Sequence, residues 1–190
     1  MNKQRNANVT KTVLIVMAVL AICSSSAIAQ QSLRDLAKEY GCDWLAGRWT
    51  ATTDDGTEIV LSYRWICDGH AVVMDFKMGE YLSHGMIYYV SDDENATAVS
   101  VDNRGGRTKG IWEPQGDKLI SKSEHTNADG EVRKSGAVYS KVDNETIKIA
   151  LYGLNDYNEL NDEPWFTTEF KRQPRTTKKN TTKRNVQKVN

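Results

Sequence analysis

Asp43-Trp44-Leu45-Ala46-Gly47-Arg48-Trp49 stands where the periodicity of the chain changes. Before it, Gln31 to Tyr40 reads as a short helix, with Leu33, Leu36, Ala37 and Tyr40 on one face and Gly41 as its stop. After it, apolar residues recur with period two, the period of a half-buried strand. A Gly-x-Trp step into the first strand sets a large indole at the base of a small antiparallel barrel, and glycine allows the close chain approach this requires. The run points to an architecture with an interior and carries no chemistry of its own.

Ten candidate strands follow, at 47–53, 57–66, 70–78, 81–90, 95–102, 106–113, 117–125, 131–142, 145–152 and 164–171. Hairpin signals separate them: Asp54-Asp55-Gly56, Gly79-Glu80, Arg104-Gly105-Gly106, Gln115-Gly116-Asp117, Ala128-Asp129-Gly130 and Asp143-Asn144. Ten short strands exceed what one flat sheet usually holds, and the chain has only three prolines to interrupt them. The expected fold class is all-β: a single antiparallel up-and-down barrel of about ten strands, preceded by a short N-terminal helix.

Turn positions set register, and register sets which side chains face inward. Around Gly79-Glu80, Met74 should oppose Gly85, Val72 Ile87 and Phe76 Ser83 on one face, with Asp75 opposite His84 and Lys77 opposite Leu82 on the other. Around Gln115-Gly116, Trp112 is expected opposite Leu119, Gly110 opposite Ser121 and Thr108 opposite Ser123. The next two turns place His125 by Val132, Lys134 by Ser123, Val138 by Ile149 and Gly136 by Leu151. The predicted interior is then mixed. Tyr63, Trp65, Val72, Met74, Phe76, Trp112, Leu119, Ile147, Ile149, Phe166 and Phe170 are its apolar members, and Thr108, Ser121, Ser123, His125 and Lys134 its polar ones. Buried polar groups need partners or water, so either the barrel holds a solvated ligand cavity or its far end is open. The candidate ligand-binding set is Tyr63, Trp65, Met74, Phe76, Trp112, Ser121, Ser123, His125 and Lys134.

The two ends of the chain differ from its body. Lys3, Arg5 and Lys11 precede an apolar run, Val13 to Ile22, and Ala27-Ile28-Ala29 supplies a small-x-small cleavage step. Residues 1–29 thus read as a signal peptide, the barrel as 30–172, and export to the periplasm or medium is expected after cleavage near Ala29. The formal charge balances at 25 basic and 25 acidic residues, yet 31–170 keeps 14 basic against 25 acidic, a net charge of 11 negative. Residues 173–190 form a basic tail, rich in Thr and Asn, whose composition predicts disorder. Such a tail could contact an anionic envelope surface, whereas the acidic body argues against a nucleic-acid groove on the folded domain.

Cys42 and Cys67 remain once Cys23 leaves with the leader. A first hairpin turning at Asp54-Asp55 brings them opposite each other, so an oxidising compartment favours a bridge worth about 3 kcal/mol. The alternative is two unpaired thiols in the barrel floor. No His or Cys pair has metal-ligand spacing, no nucleophile motif occurs, and neither a cofactor nor a metal is expected. His84 reads as a surface partner of Asp75, while His125 faces inward near Lys134. The irregular stretch Gly153 to Glu163 has the length of a lid or portal loop.

Gly47-Arg48-Trp49 after a short helix, about ten antiparallel strands, and Phe170-Lys171-Arg172 closing the last strand resemble the calycin-like barrels, a group that includes lipocalins and fatty-acid-binding proteins. The likeness is greatest to exported bacterial domains of unknown function that begin Asp-Trp-Leu-x-Gly-x-Trp. It implies a barrel floor built from Gly47, Trp49 and a late basic residue, Arg172 or Lys171, stacked on the indole by cation–π attraction. Departures from haem-binding barrels are plain: Thr50-Ala51-Thr52 follows the Gly-x-Trp step, and no histidine occurs after His125. The leading expectation is a barrel that binds a small, partly apolar or amphipathic ligand without catalysis. The alternatives are an envelope-associated interaction module with a filled barrel, and an enzyme using His125. Oligomeric state is not legible.

Overall fold

The computed structural model describes residues 31–90 and 95–174, so the expected signal peptide and nearly all of the basic tail lie outside the described residues. Helix α1 spans Leu33–Glu39, with Ser32 as its N-cap accepting from the Asp35 N–H, and is followed by a single 3-10 turn, Asp43–Leu45. The strands are β1 Gly47–Thr52, β2 Glu58–Ile66, β3 Ala71–Met78, β4 Tyr81–Val90, β5 Asn95–Asp102, β6 Arg107–Gln115, β7 Lys118–Thr126, β8 Val132–Lys141, β9 Thr146–Gly153 and β10 Phe166–Arg172. Each pairs antiparallel with its sequence neighbour, and β1 pairs with β10 to close the barrel. This is the expected fold class, with boundaries shifted by a residue or two.

Strand direction gives the barrel two unlike ends. At one lie Gly47, Ile66, Ala71, Val90, Asn95, Gln115, Lys118 and Arg172, together with α1; this is the helix end. At the other lie the turns after β1, β3, β5 and β7 and the loop after β9; this is the far mouth. The core concentrates near the helix end, where Trp49 and Ile147 are both 0% exposed, with Leu45, Tyr63, Trp112, Tyr139 and Phe170 packed around them.

The seam between β1 and β10 is short, with only Trp49 opposite Arg172 and Thr50 opposite Lys171. Side chains supplement it. The Arg172 guanidinium lies 4.0 Å from the Trp49 ring centroid and donates to the carbonyls of Ala46 (3.0 Å), Trp44 (2.7 Å) and Asn144 (3.0 Å). The Trp49 indole N–H in turn donates to the Leu45 carbonyl at 2.9 Å. Gly47 sits at φ +151°, and a Cβ there would strain the backbone and push the Arg172 guanidinium off its stack. Of the two basic residues the resemblance offered, Arg172 makes the stack, while the Lys171 ammonium donates to Thr146 at 2.8 Å.

Registers divide into those legible from turn chemistry and those not. The β3–β4 pairs are as expected, including Met74 with Gly85 and the outer pair Asp75 with His84, whose side chains meet at 2.6 Å. The β6–β7 register differs by two: Trp112 opposes Ser121, Gly110 Ser123 and Thr108 His125. The turn proper is Gly116-Asp117, closed by Gln115 opposite Lys118, and an even shift leaves the faces unchanged. The next two registers each differ by one: the first inverts the face of β8 and the second restores that of β9, where Ile147 and Ile149 stay inside. His125 opposes Arg133, Ser123 Ser135 and Glu124 Lys134; Val138 opposes Ala150 and Gly136 Tyr152. The cause is local. Asn127 and Glu131 bond across an odd, three-residue turn, through Asn127 N–H to the Glu131 carbonyl (3.0 Å) and Glu131 N–H to Asn127 Oδ1 (2.9 Å). On β8 it is therefore Ser135, Ala137 and Tyr139 that face inward.

Candidate functional site: the helix-end cavity

Two cavities occupy the barrel axis, one above the other. The larger, about 430 Å³, lies at the helix end between α1 and the inner wall of β2 to β7. Leu33, Leu36, Ala37 and Tyr40 roof it, the same apolar stripe that the sequence places on one helix face. Tyr63, Trp65, Val72, Ile87, Tyr89 and Trp112 form much of its wall, with Cys42 and Leu45 at the junction of roof and floor. The smaller, about 180 Å³, lies deeper, toward the far mouth. Met74 and Phe76 line it with the hydroxyl residues Ser83, Ser100, Thr108, Ser121 and Ser123.

An aromatic septum separates the two. Tyr63 and Trp112 meet edge-on with centroids 6.0 Å apart, and Trp112 and Tyr139 lie at 4.9 Å with ring planes tilted by 31°. All three are buried. Burial, reinforced by the neighbouring Tyr139, pushes the Tyr63 phenol well above its ordinary range. The Tyr139 phenol is also raised by burial, opposed by hydrogen bonding to Tyr63 and Ser121. Both hydroxyls thus stay neutral, as donors and acceptors; Tyr63 lines both cavities and Tyr139 the smaller one.

Of the expected ligand-binding residues, Tyr63, Trp65 and Trp112 line the larger cavity, and Tyr63, Met74, Phe76, Trp112, Ser121 and Ser123 the smaller. Two expectations need correction. Lys134 lies outside the barrel: the one-residue register change on β8 turns it to the outer face, where its ammonium donates to Asn158 at 3.1 Å. The loop after β9 is no lid over the mouth. Leu154 and Leu160 bridge each other and cover the outward face of Gly136, where a Cβ would collide with Leu160, so the loop folds back along the outer wall. That leaves Tyr157 at its tip, 84% exposed.

His125 lies at the far mouth in a polar network. Its Nδ1 is 3.1 Å from Thr108 Oγ1, and its Nε2 is 3.8 Å from Asp102. The Asp102 side chain is only 4% exposed and accepts from the N–H groups of Arg104 (2.8 Å) and Gly106 (2.9 Å) and from the Tyr81 hydroxyl (3.2 Å). Burial opposes its ionisation, but these hydrogen bonds and the nearby His125 outweigh that and hold its carboxyl below the ordinary range. The Tyr81 phenol is pushed up to about 12, first by burial and then by the Asp102 charge. The network ties the β5–β6 turn across to β4 and β7. Its carboxylate is spent on backbone donors and the imidazole stands beyond hydrogen-bond reach of it, so no aligned nucleophile–base–acid relay results.

Cys42 and Cys67 are both free, and the expected bridge is not formed. Gly47 opposes Tyr63, one residue off the pairing that would set the cysteines face to face. Cys67 is exposed on a turn where it and Asp68 have φ of 48° and 52°. Cys42 is buried in the cavity wall, its thiol 3.5 Å from the Tyr40 carbonyl and pushed up in pKa by burial, with Asp43 adding to it. Among the described residues, no group of three or more His, Cys, Asp or Glu is placed to hold a metal ion.

The residues that sequence reasoning missed are the roof, Leu33 to Tyr40, and Tyr139 of the septum. The roof had a signal, an apolar helix face with nothing in the helix to cover it. Fold and site define a closed ten-stranded antiparallel barrel with an apolar chamber under its N-terminal helix. The chain matches no family model and no curated protein sequence.

Proposed function

We propose that this protein is an exported, calycin-like barrel that binds a small, partly apolar ligand in the helix-end cavity and catalyses no reaction. The observation that carries the reading is that cavity: about 430 Å³, walled by aromatic and aliphatic side chains, with a few phenolic hydroxyls as polar contacts. Volume and lining have the character of small-molecule sites, in which apolar walls supply affinity and a few polar groups supply orientation. The floor of Gly47, Trp49 and Arg172 supports the calycin-like assignment. The N-terminal leader supports export, and the basic tail then reaches anionic envelope surfaces.

Native mass spectrometry of the protein purified from its own host tests the reading. A defined extra mass, lost on unfolding and lost from an Ala96→Trp variant that fills the cavity, is the expected result. A bare mass in wild type, with Cys42 alkylated as readily as in the filled variant, would overturn it.

A further inference from the structure

Among the described residues, the helix-end cavity is lined by polar atoms but by no charged side chain that faces into it. Among the described residues, Glu113 is the one ionisable acid or base along its wall apart from tyrosines and Cys42. It follows Trp112 on β6 and so points to the opposite face, where its carboxylate meets Lys122 at 3.5 Å. The nearest cation on the roof helix, Arg34, is not part of the lining. Its guanidinium lies over the Trp65 ring at 5.2 Å, and its stem is packed against Gly69. A carboxylate entering the cavity would lose its water and meet no cation among the described lining residues, the Arg34 guanidinium being stacked on the Trp65 ring with its Nε buried and unpartnered. An unpaired buried ion is the costliest group a site can accept.

Depth is limited as well. The Tyr63–Trp112–Tyr139 septum closes the cavity floor, and its rings touch one another across the barrel. A long chain could reach the smaller chamber only by displacing Trp112 from the core. Five of the wall and roof residues are aromatic: Tyr40, Tyr63, Trp65, Tyr89 and Trp112. Their faces favour offset stacking with a flat partner.

From these features we infer that the cavity takes a compact, uncharged, planar apolar molecule and discriminates against long-chain carboxylates. The inference rests on the ligand-binding reading above and names the class of ligand for that same site.

Three fluorescent probes separate charge from length when titrated into the full chain: N-phenyl-1-naphthylamine, cis-parinaric acid and its methyl ester. Occupancy of this cavity is read by protection of Cys42 from alkylation in a Cys23→Ser/Cys67→Ser background. The acid is expected to bind at least about tenfold more weakly than its ester, the cost of one unpaired desolvated charge. The naphthylamine should bind more tightly than either and protect Cys42. Leu36→Lys, which brings a cation to the roof, should raise affinity for the acid to that of the ester or above. An acid that binds as tightly as its ester and protects Cys42 would overturn the charge rule while leaving the site intact. An ester that matches the naphthylamine would overturn the depth limit. Failure of all three probes to protect Cys42 would remove the ligand-binding reading itself.

Discussion

Replacing Arg172 by alanine strips the barrel of the side chain that ties its last strand to its first and to the turn before it. The β1–β10 ladder contributes only two opposed residue pairs, extended by the Gln173 N–H to the Arg48 carbonyl at 2.8 Å, so much of the seam depends on what side chains add. Arg172 adds two part-buried hydrogen bonds to the Ala46 and Trp44 carbonyls, one exposed bond to Asn144, and the stack on Trp49. A hydrogen bond from a charged donor contributes roughly 1.5–3 kcal/mol when part-buried, and less at the surface. A cation–π contact adds about 0.5–2 kcal/mol. With the exposed bond discounted these terms sum to roughly 3.5–8 kcal/mol. Because they share one side chain and are not additive, the expected loss lies in the lower half, about 3–5 kcal/mol, or a fall in Tm of roughly 10–15 °C. Arg172→Lys keeps a cation near the ring but cannot reach both carbonyls, so it should lose about half as much. Urea unfolding followed by tryptophan fluorescence gives both values, and an unchanged slope would show that the folded state is otherwise intact. A loss below about 0.5 kcal/mol with unchanged slope would refute the reasoning and leave closure to the backbone ladder alone.

Three further outcomes follow from the geometry. The Asp102 carboxyl titrates below its ordinary 3.8 in the folded chain, so its contribution is complete above that value and drains away as pH falls through the lower native one. Asp102→Asn should therefore cost about 1–3 kcal/mol at pH 7, with the difference from wild type shrinking below pH 4 in urea titrations; a pH-independent cost would refute this. In a Cys23→Ser background, Ellman's reagent should titrate two free thiols, with Cys67 reacting roughly tenfold or more faster than buried Cys42, and a single slow phase would contradict their placement. On β8, Ala137→Lys should cost more than about 3 kcal/mol and Val138→Lys less than about 1 kcal/mol, because only the first points inward. The opposite order in thermal melts would restore the register first expected from the turns.

How far the sequence carried the fold depended on how tightly each turn was specified. Gly79-Glu80 is a two-residue hairpin turn with a glycine at φ +58°, and the β3–β4 pairing follows from it without error. Asn127 to Glu131 and Asp143 to Thr146 are different, because side-chain and backbone bonds inside the turn decide whether its residue count is odd or even. Composition does not reveal that count, and with a period of two a single miscounted residue moved Lys134 inside and Tyr139 outside. The cavity's location was hidden for another reason. Leu33, Leu36, Ala37 and Tyr40 were visible as an apolar stripe, but a stripe on a helix says only that something covers it. Which barrel end it covers depends on the chain path through Cys42 to Ala46, set by contacts to a residue more than a hundred positions away.

That path also explains why the fold-defining run and the cavity share one end. The turn at Asp43–Leu45 hands the chain from α1 to β1, and Arg172 accepts its position by bonding the Trp44 and Ala46 carbonyls while Trp49 bonds that of Leu45. Three consecutive carbonyl-bearing residues are thereby pinned at the edge of the barrel. A helix attached to a pinned turn can lie across the opening without a strand of its own, and Leu33 buries itself in the core to complete the attachment. The Gly-x-Trp step thus anchors a roof as well as plugging a floor. The space between that roof and the Tyr63–Trp112–Tyr139 septum is the chamber, and its apolar character is a direct product of the side chains that a helix stripe and six inward strand ends supply.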